Sequence, residues 1–374
     1  MERCKKCILP THVVRMHPDG ICDLCHKDNG IIKYKGEAEL KSIVEHHSQL
    51  ARKNGAKYDC LIPISGGKDS MYALWYLVTQ LKKKPLAFNF VHGFIDPAAK
   101  SNIDKAIKIL GVDIVYNYDN SILTKYLKHN IQVLPTQPAK HISKISPVLC
   151  TGCNEGYAQY DKQLAKKYGL TLIIKGGCPV EPDLRGFRNV TGNSLVMRTL
   201  QMSAQEISEL FTCSIFHNLA YPRNIRTHLL LTRFLWKRLF GSIFRKARKQ
   251  AITGIMLFSY LEWNDKNIVA TLEKELGWQR PEGRSTTIRF DCRLHVLREQ
   301  LNLLFAGFCE KDVIFSAMVR KGMLTREEAL QKVTREIEEE RPLSDDILRE
   351  TLDKIGLSDQ YEHIKSLWAE RKGK

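Results

Sequence analysis

Ser65-Gly66-Gly67-Lys68-Asp69-Ser70 follows the apolar run Cys60-Leu61-Ile62-Pro63-Ile64 and leads into an apolar-periodic stretch. The order reads as a buried strand, a tight glycine turn and a helix start. Such a turn aims backbone N–H groups and the positive end of a helix dipole at one point, which suits an anion. Gly66 and Gly67 let the backbone approach a phosphate closely, and Lys68 adds a mobile positive charge. The Ser65 and Ser70 hydroxyls can donate to phosphate oxygens, while Asp69 is placed to hold Mg2+ or to cap the helix. The spacing differs from the phosphate-loop pattern in which four residues separate a glycine from Gly-Lys-Ser/Thr.

The second source of chemistry is cysteine, of which the chain has 11. Cys4-x2-Cys7 and Cys22-x2-Cys25 have the spacing of a four-thiolate zinc knuckle, in which two tight turns supply two ligands each. Four sulfurs close such a site, so a structural Zn2+ is expected, with His12, His17 and His26 as bystanders. Cys150-Thr151-Gly152-Cys153 is a further pair ahead of an expected core helix. Two thiols do not complete a metal site. Cys178, after Gly176-Gly177, and Cys292, in Arg289-Phe290-Asp291-Cys292, are the candidates to join them, with Cys292 favoured. The alternatives are a pair of reduced thiols or a shared zinc. Cys60, Cys213 and Cys309 lie in apolar stretches and read as core.

Elements that could position these groups follow from hydropathy. Helical spacing over 36–54 precedes strand 59–64, the glycine turn and a helix at 69–82. Strand 86–91, helix 98–110, strand 113–118, a helix near 155–168 and the strand at 170–174 complete an alternating series. Near-continuous apolar strands separated by helices predict a parallel sheet covered on both faces, with ligands at its carboxyl edge. Residues 200–260 read as helical and basic, and 264–374 as a helical tail with a loop at about 279–286. Three regions are therefore expected: a cysteine knuckle at 1–35, an α/β domain at 36–200 and a mainly helical region at 201–374.

The hexapeptide after a buried strand resembles the signature of the PP-loop ATP-pyrophosphatases. That resemblance implies an α/β fold of the HUP/PP-loop type (adenine nucleotide alpha hydrolase-like). It also implies ATP as substrate, cleaved between the α and β phosphates to AMP and pyrophosphate, with Lys68, Asp69 and Ser70 as catalytic residues. Asn89 and Val91, with His92-Gly93, would lie by the adenosine, and Gly176 and Gly177 near the phosphates. Sulfur-transferring members of the group imply a [4Fe–4S] cluster on three cysteines as the use of Cys150, Cys153 and Cys292.

Within the group, several segments resemble the N-acetyl sugar amidotransferases of bacterial surface-polysaccharide (lipopolysaccharide) synthesis. These are Cys4-Lys5-Lys6-Cys7-Ile8-Leu9-Pro10, Gly20-Ile21-Cys22, Tyr58-Asp59-Cys60, Tyr260-Leu261-Glu262-Trp263, Leu276-Gly277-Trp278 and the stretch from Arg320 to Leu330. This implies conversion of a sugar acetamido group to an acetamidino group, with ammonia from a separate glutaminase subunit. The alternative is a tRNA thiolation enzyme, which also combines zinc knuckles, this loop and a cluster-binding cysteine pair.

Charge bears on that choice. The formal net charge is +17, and no acidic residue lies between Glu209 and Glu262, where nine lysines and arginines from Arg223 to Lys249 interleave with apolar residues. Segment 222–250 is thus a candidate for RNA phosphates, an anionic membrane surface or a partner protein, or is a solvated helix face. With neither a leader pattern nor an apolar run of membrane-spanning length, the expected location is cytoplasmic, with peripheral membrane contact through that segment as a variant.

Overall fold

The computed structural model describes residues 2–12, 14–28, 30–133, 149–180 and 252–372. The expected helical character of 200–251, and with it the whole basic segment 222–250 and Cys213, lies outside the described residues. Those within Met1–Pro182 and Ile252–Lys374 form one compact unit.

Five parallel strands make the sheet: β1 (Cys60–Pro63), β2 (Pro85–Phe90), β3 (Ile114–Asn117), β4 (Leu172–Lys175) and β5 (Thr253–Met256), in the order β3-β2-β1-β4-β5. β1 and β2 are buried along their whole length, as the unbroken apolar runs require of strands covered on both faces. From β1 the chain winds outward first to β2 and β3, then crosses back to β4. The topological switch therefore falls between β1 and β4, and the crevice at their carboxyl ends is where such sheets bind ligands.

The helices in chain order are α1 (Asp23–Lys27), α2 (Glu37–Lys53), α3 (Lys68–Thr79), α4 (Pro97–Leu110), α5 (Ser121–Val133) and α6 (Thr151–Lys167). After β5 come α7 (Asp265–Leu276), α8 (Leu294–Ala306), α9 (Glu310–Arg320), α10 (Arg326–Glu340), α11 (Ser344–Lys354) and α12 (Tyr361–Lys372). Their ends carry ordinary punctuation. Asp96 accepts from Ala98 N ahead of Pro97 and Gly111 closes α4 in the left-handed region, while Thr325 and Glu328 form a capping box on α10.

The parallel α/β class, the N-terminal cysteine unit and the helical C-terminal region are all present. One expectation fails. Residues 253–256, read as part of a helical stretch, form β5, an edge strand paired with β4 through Leu172↔Thr253 to Lys175↔Met256. Thr-Gly-Ile-Met carries little strand signal of its own, and the exposed edge of β4 supplies the backbone partners that make it one.

Candidate functional site

Gly67 N-caps α3, so the glycine turn delivers the N-terminus of α3 to the switch point. Gly66 sits at φ +85°, and a Cβ there would come within 2.2 Å of the Ala99 carbonyl oxygen on α4. Only glycine fits both the backbone and the space. The Gly66 carbonyl accepts from Trp278 Nε1 at 3.1 Å and from Asn102 Nδ2 at 3.4 Å, and Asn102 in turn accepts from Gln279 N. Ser70 Oγ donates to Gly67 O at 3.0 Å and lies 3.2 Å from Ser65 N, so the loop is braced internally. Gly176, beyond β4, packs on this turn, since a Cβ there would meet the Asp69 carbonyl carbon at 2.5 Å and Ser70 N at 2.7 Å. The two glycine turns of β1 and β4 thus meet.

Lys68 is 3 % exposed, with Nζ 3.2 Å from Asp69 Oδ2, 3.4 Å from Asp265 Oδ1 and 5.2 Å from the centre of the Trp263 ring. Trp263 Nε1 donates to the other Asp69 oxygen at 2.7 Å, and Thr287 Oγ1 donates to Asp265. Asp291 stands on the far side, its carboxyl carbon 3.5 Å from where a Gly67 Cβ would lie. Asp69, Asp265 and Asp291 border one anion-seeking turn, a combination that suits a magnesium-bound polyphosphate: backbone N–H groups and Lys68 for the phosphates, carboxylates for the cation. Asp265 and Asp291 were absent from the expected site residues. They lie about two hundred residues beyond the loop, and neither sits in a motif with a spacing of its own.

The β2 positions behave differently from one another. Asn89 is 2 % exposed and its amide donates to Ile64 O at 2.7 Å, so its polar group holds β1 to β2. Val91 N donates to Asn117 O. His92 is buried, with Nδ1 3.2 Å from Phe94 N, and burial pushes its pKa down to about 4, with Asp291 pulling it up and Lys354 pushing it further down. The unfolded chain takes up this proton near the ordinary value of 6.5, the folded chain only near 4, so stability falls as pH drops through that window and is untouched above it. By pH 5 this group is expected to remove about 2 kcal/mol. Denaturant midpoints at pH 7 and pH 5 check it: His92→Gln should lose that much less than the parent chain, and equal losses would contradict the assignment.

The four N-terminal cysteines are buried and converge, with all four sulfurs within 4.8 Å of one another. Cys4 Sγ to Cys25 Sγ is 3.9 Å and Cys7 Sγ to Cys22 Sγ is 3.8 Å. Two thiolates on a tetrahedral ion at the usual zinc–sulfur length are about 3.8 Å apart, so the donor set fits that ion. Hydrogen bonds with Cys22 and Cys25 hold Cys7 far down, while those with Cys22 and Cys7 push Cys25 far up. Four thiols this close cannot all ionise without a cation between them. The knuckle is fastened to the C-terminal helices: Arg3 pairs with Asp312 at 2.7 Å, Ile8 N donates to Ser316 Oγ, and Arg326 Nε donates to the carbonyls of Cys4 and Cys7.

Cys150 N-caps α6, Cys153 lies one turn inside it, and Cys292 forms an isolated bridge with Ile95 just before α8. Cys153 and Cys292 border the same apolar cluster. Burial pushes both thiols up, and the field of Cys150 reaches each of them, as does that of Asp291. The third thiol of this neighbourhood is therefore Cys292; Cys178 instead borders the main core and acts electrostatically on Tyr34. Among the described residues, the convergent groups of metal-ligating side chains are the four knuckle cysteines and His295 with Glu299 and Glu310.

No protein-family model and no curated protein matches the chain. Among solved structures it is similar to the U34-tRNA thiolase NcsA from Methanococcus maripaludis with its [4Fe-4S] cluster, at 11 % identity over 86 % of this chain and 87 % of that one. With a TM-score of 0.34, this likeness by itself establishes neither fold nor function. Among the described residues, no helix is long and apolar enough to cross a membrane.

Proposed function

We propose that the chain is a PP-loop enzyme that cleaves ATP to AMP and pyrophosphate, adenylylates a carbonyl oxygen of a tRNA base, and replaces that oxygen with sulfur. The observation that carries this reading is the gathering of Cys150, Cys153 and Cys292 beside Asp291, the residue that also flanks Gly67 of the phosphate loop. A thiol site next to an adenylylating loop brings the sulfur donor to the activated carbon.

The base oxygen attacks the α-phosphate and pyrophosphate departs; sulfide then adds to the same carbon and AMP leaves, carrying the former base oxygen. Lys68 and the loop N–H groups offset charge on the departing pyrophosphate, with Mg2+ held by Asp69 and its neighbours. Cys150, Cys153 and Cys292 would hold a [4Fe–4S] cluster, which would supply a binding place for sulfide. Cys4, Cys7, Cys22 and Cys25 hold a structural zinc ion. The +17 net charge supports a polyanionic substrate.

A second reading keeps the first half-reaction and changes the rest: ammonia, from a glutaminase partner, displaces AMP from an adenylylated sugar acetamido group. It is favoured by the placement of the segments that carry that resemblance. Trp263 binds Asp69, Trp278 binds Gly66 and Arg326 binds the knuckle.

Anaerobic reconstitution separates the two. The thiolation reading expects roughly four irons per chain, lost in Cys292→Ser while zinc stays. It also expects tRNA binding that weakens steeply with salt. Zinc alone, with no salt-dependent tRNA binding, would overturn it and leave the sugar substrate.

A further inference from the structure

Arg298, on α8, is 4 % exposed and reaches two places at once. Its Nη1 donates to Cys150 Sγ at 3.0 Å, and its Nη2 contacts Glu310 Oε2 at the start of α9. Glu310 is buried as well, with His295 Nδ1 3.7 Å from the same oxygen. A buried guanidinium is costly to desolvate unless anions surround it, and here one side is a carboxylate and the other a sulfur. The phosphate-loop chemistry does not use this contact, and neither the motif spacing nor the cysteine count pointed to it.

His295, Glu299 and Glu310 lie within 4.8 Å of one another, and Glu299 Oε1 is buried without a hydrogen-bond partner among the described residues. This set has metal-ligand chemistry, but cations already occupy its surroundings. Burial lowers the His295 pKa far below its usual value, and Arg298, Arg289 and Lys311 lower it further, so the local field opposes another cation. Lys311 meanwhile pairs with Glu336 and Glu340 at 3.3 and 2.7 Å. The network is therefore a support: it surrounds Glu310, which holds the guanidinium that faces the cysteines.

We propose that Arg298 is a positioning residue of the cysteine site, anchored by Glu310, whose guanidinium makes the surroundings of Cys150 an electropositive seat for anionic sulfur, in the thiolates and in the incoming sulfide. This rests on the sulfur-transfer reading for its purpose, though the charge at Cys150 can be measured without it. Cys150 receives its N–H from the charged guanidinium, whereas Cys292 receives one from the neutral Leu294 backbone. A hydrogen bond from a charged donor is roughly twice as strong as a neutral one, so its loss should be visible in both charge and metal retention.

The test compares Arg298→Met and Arg298→Lys with the parent chain in two measurements. In metal-free protein, alkylation of Cys150 by iodoacetate is divided by that by neutral iodoacetamide, a ratio that reports local charge independently of how much thiolate is present. The ratio should fall at least threefold in Arg298→Met and stay near the parent value in Arg298→Lys. If Arg298→Met does not accumulate, Arg298→Gln, which keeps a donor and loses the charge, carries the same expectation. After reconstitution, chelator should remove iron several-fold faster from the Met variant, with Lys restoring retention. A charge ratio unchanged in the Met or Gln variant overturns the proposal. A parent chain that shows the ratio effect but takes up no iron overturns the sulfur-transfer reading and leaves the electropositive seat standing.

Discussion

Lys68→Ala is expected to lower ATP-to-AMP turnover at least 10³-fold, about 4 kcal/mol of transition-state stabilisation. Lys68 Nζ is buried between Asp69 and Asp265 over the Trp263 ring, so its position is fixed before substrate arrives. A charge already in place loses little to reorganisation when negative charge builds on the departing pyrophosphate. The loss should fall on kcat more than on KM, because that charge grows in the transition state. Asp69→Ala should be of similar size, since it removes the carboxylate proposed to hold magnesium and leaves Trp263 Nε1 without its acceptor. Steady-state kinetics on the two variants and the parent chain, with circular dichroism to verify the fold, check this. A tenfold effect or less would mean that Lys68 serves the carboxylates around it and not a phosphate.

Removing the zinc ion proposed for the four-cysteine unit should have the largest effect on stability. Among the described residues of 2–28 there is a single helix of five residues, Asp23–Lys27, so regular secondary structure contributes little to the order of the segment. Zinc contributes on the order of 10 kcal/mol to the folding of such units, as much as a whole domain holds in reserve. Chelation, or Cys22→Ser, should therefore open the segment to protease while the sheet from β1 to β5 stays resistant. It should also lower the denaturation midpoint, since Arg3–Asp312 and the Arg326 contacts to Cys4 and Cys7 go with it. Limited proteolysis with metal analysis reads both. Unchanged resistance in metal-free protein would show that the thiols hold the fold without an ion.

What could be read from the sequence divides along a physical line. The glycine turn ahead of α3 and the convergence of the four N-terminal cysteines were legible because the geometry that forms them is local: consecutive backbone N–H groups at a helix start, and tight turns that bring two thiols together. The partners of the loop were not. Asp265 and Asp291 arrive through folds of the C-terminal region, and as single acidic residues in loops or first turns they look like ordinary helix caps. Arg298 reads as a solvated charge on an amphipathic helix, and only the packing of α8 against Glu310 and Cys150 shows that it is buried. Asn89, which the resemblance places by the adenosine, has its amide donating to the Ile64 carbonyl at the end of the neighbouring strand, a partner that only the sheet register reveals. The sequence favoured Cys292 over Cys178 only slightly, and the packing of Cys153 and Cys292 against one apolar cluster comes from the tertiary structure.

The central claim is that this loop splits ATP at the α-phosphate to activate a carbonyl oxygen, and product analysis tests it most directly. Cluster-reconstituted protein is supplied with Mg2+, ATP labelled at the α- and γ-phosphates, total tRNA and sulfide, and its products are separated. The account expects labelled AMP and labelled pyrophosphate in equal amounts, both lost in Lys68→Ala. Labelled ADP with free phosphate would contradict it.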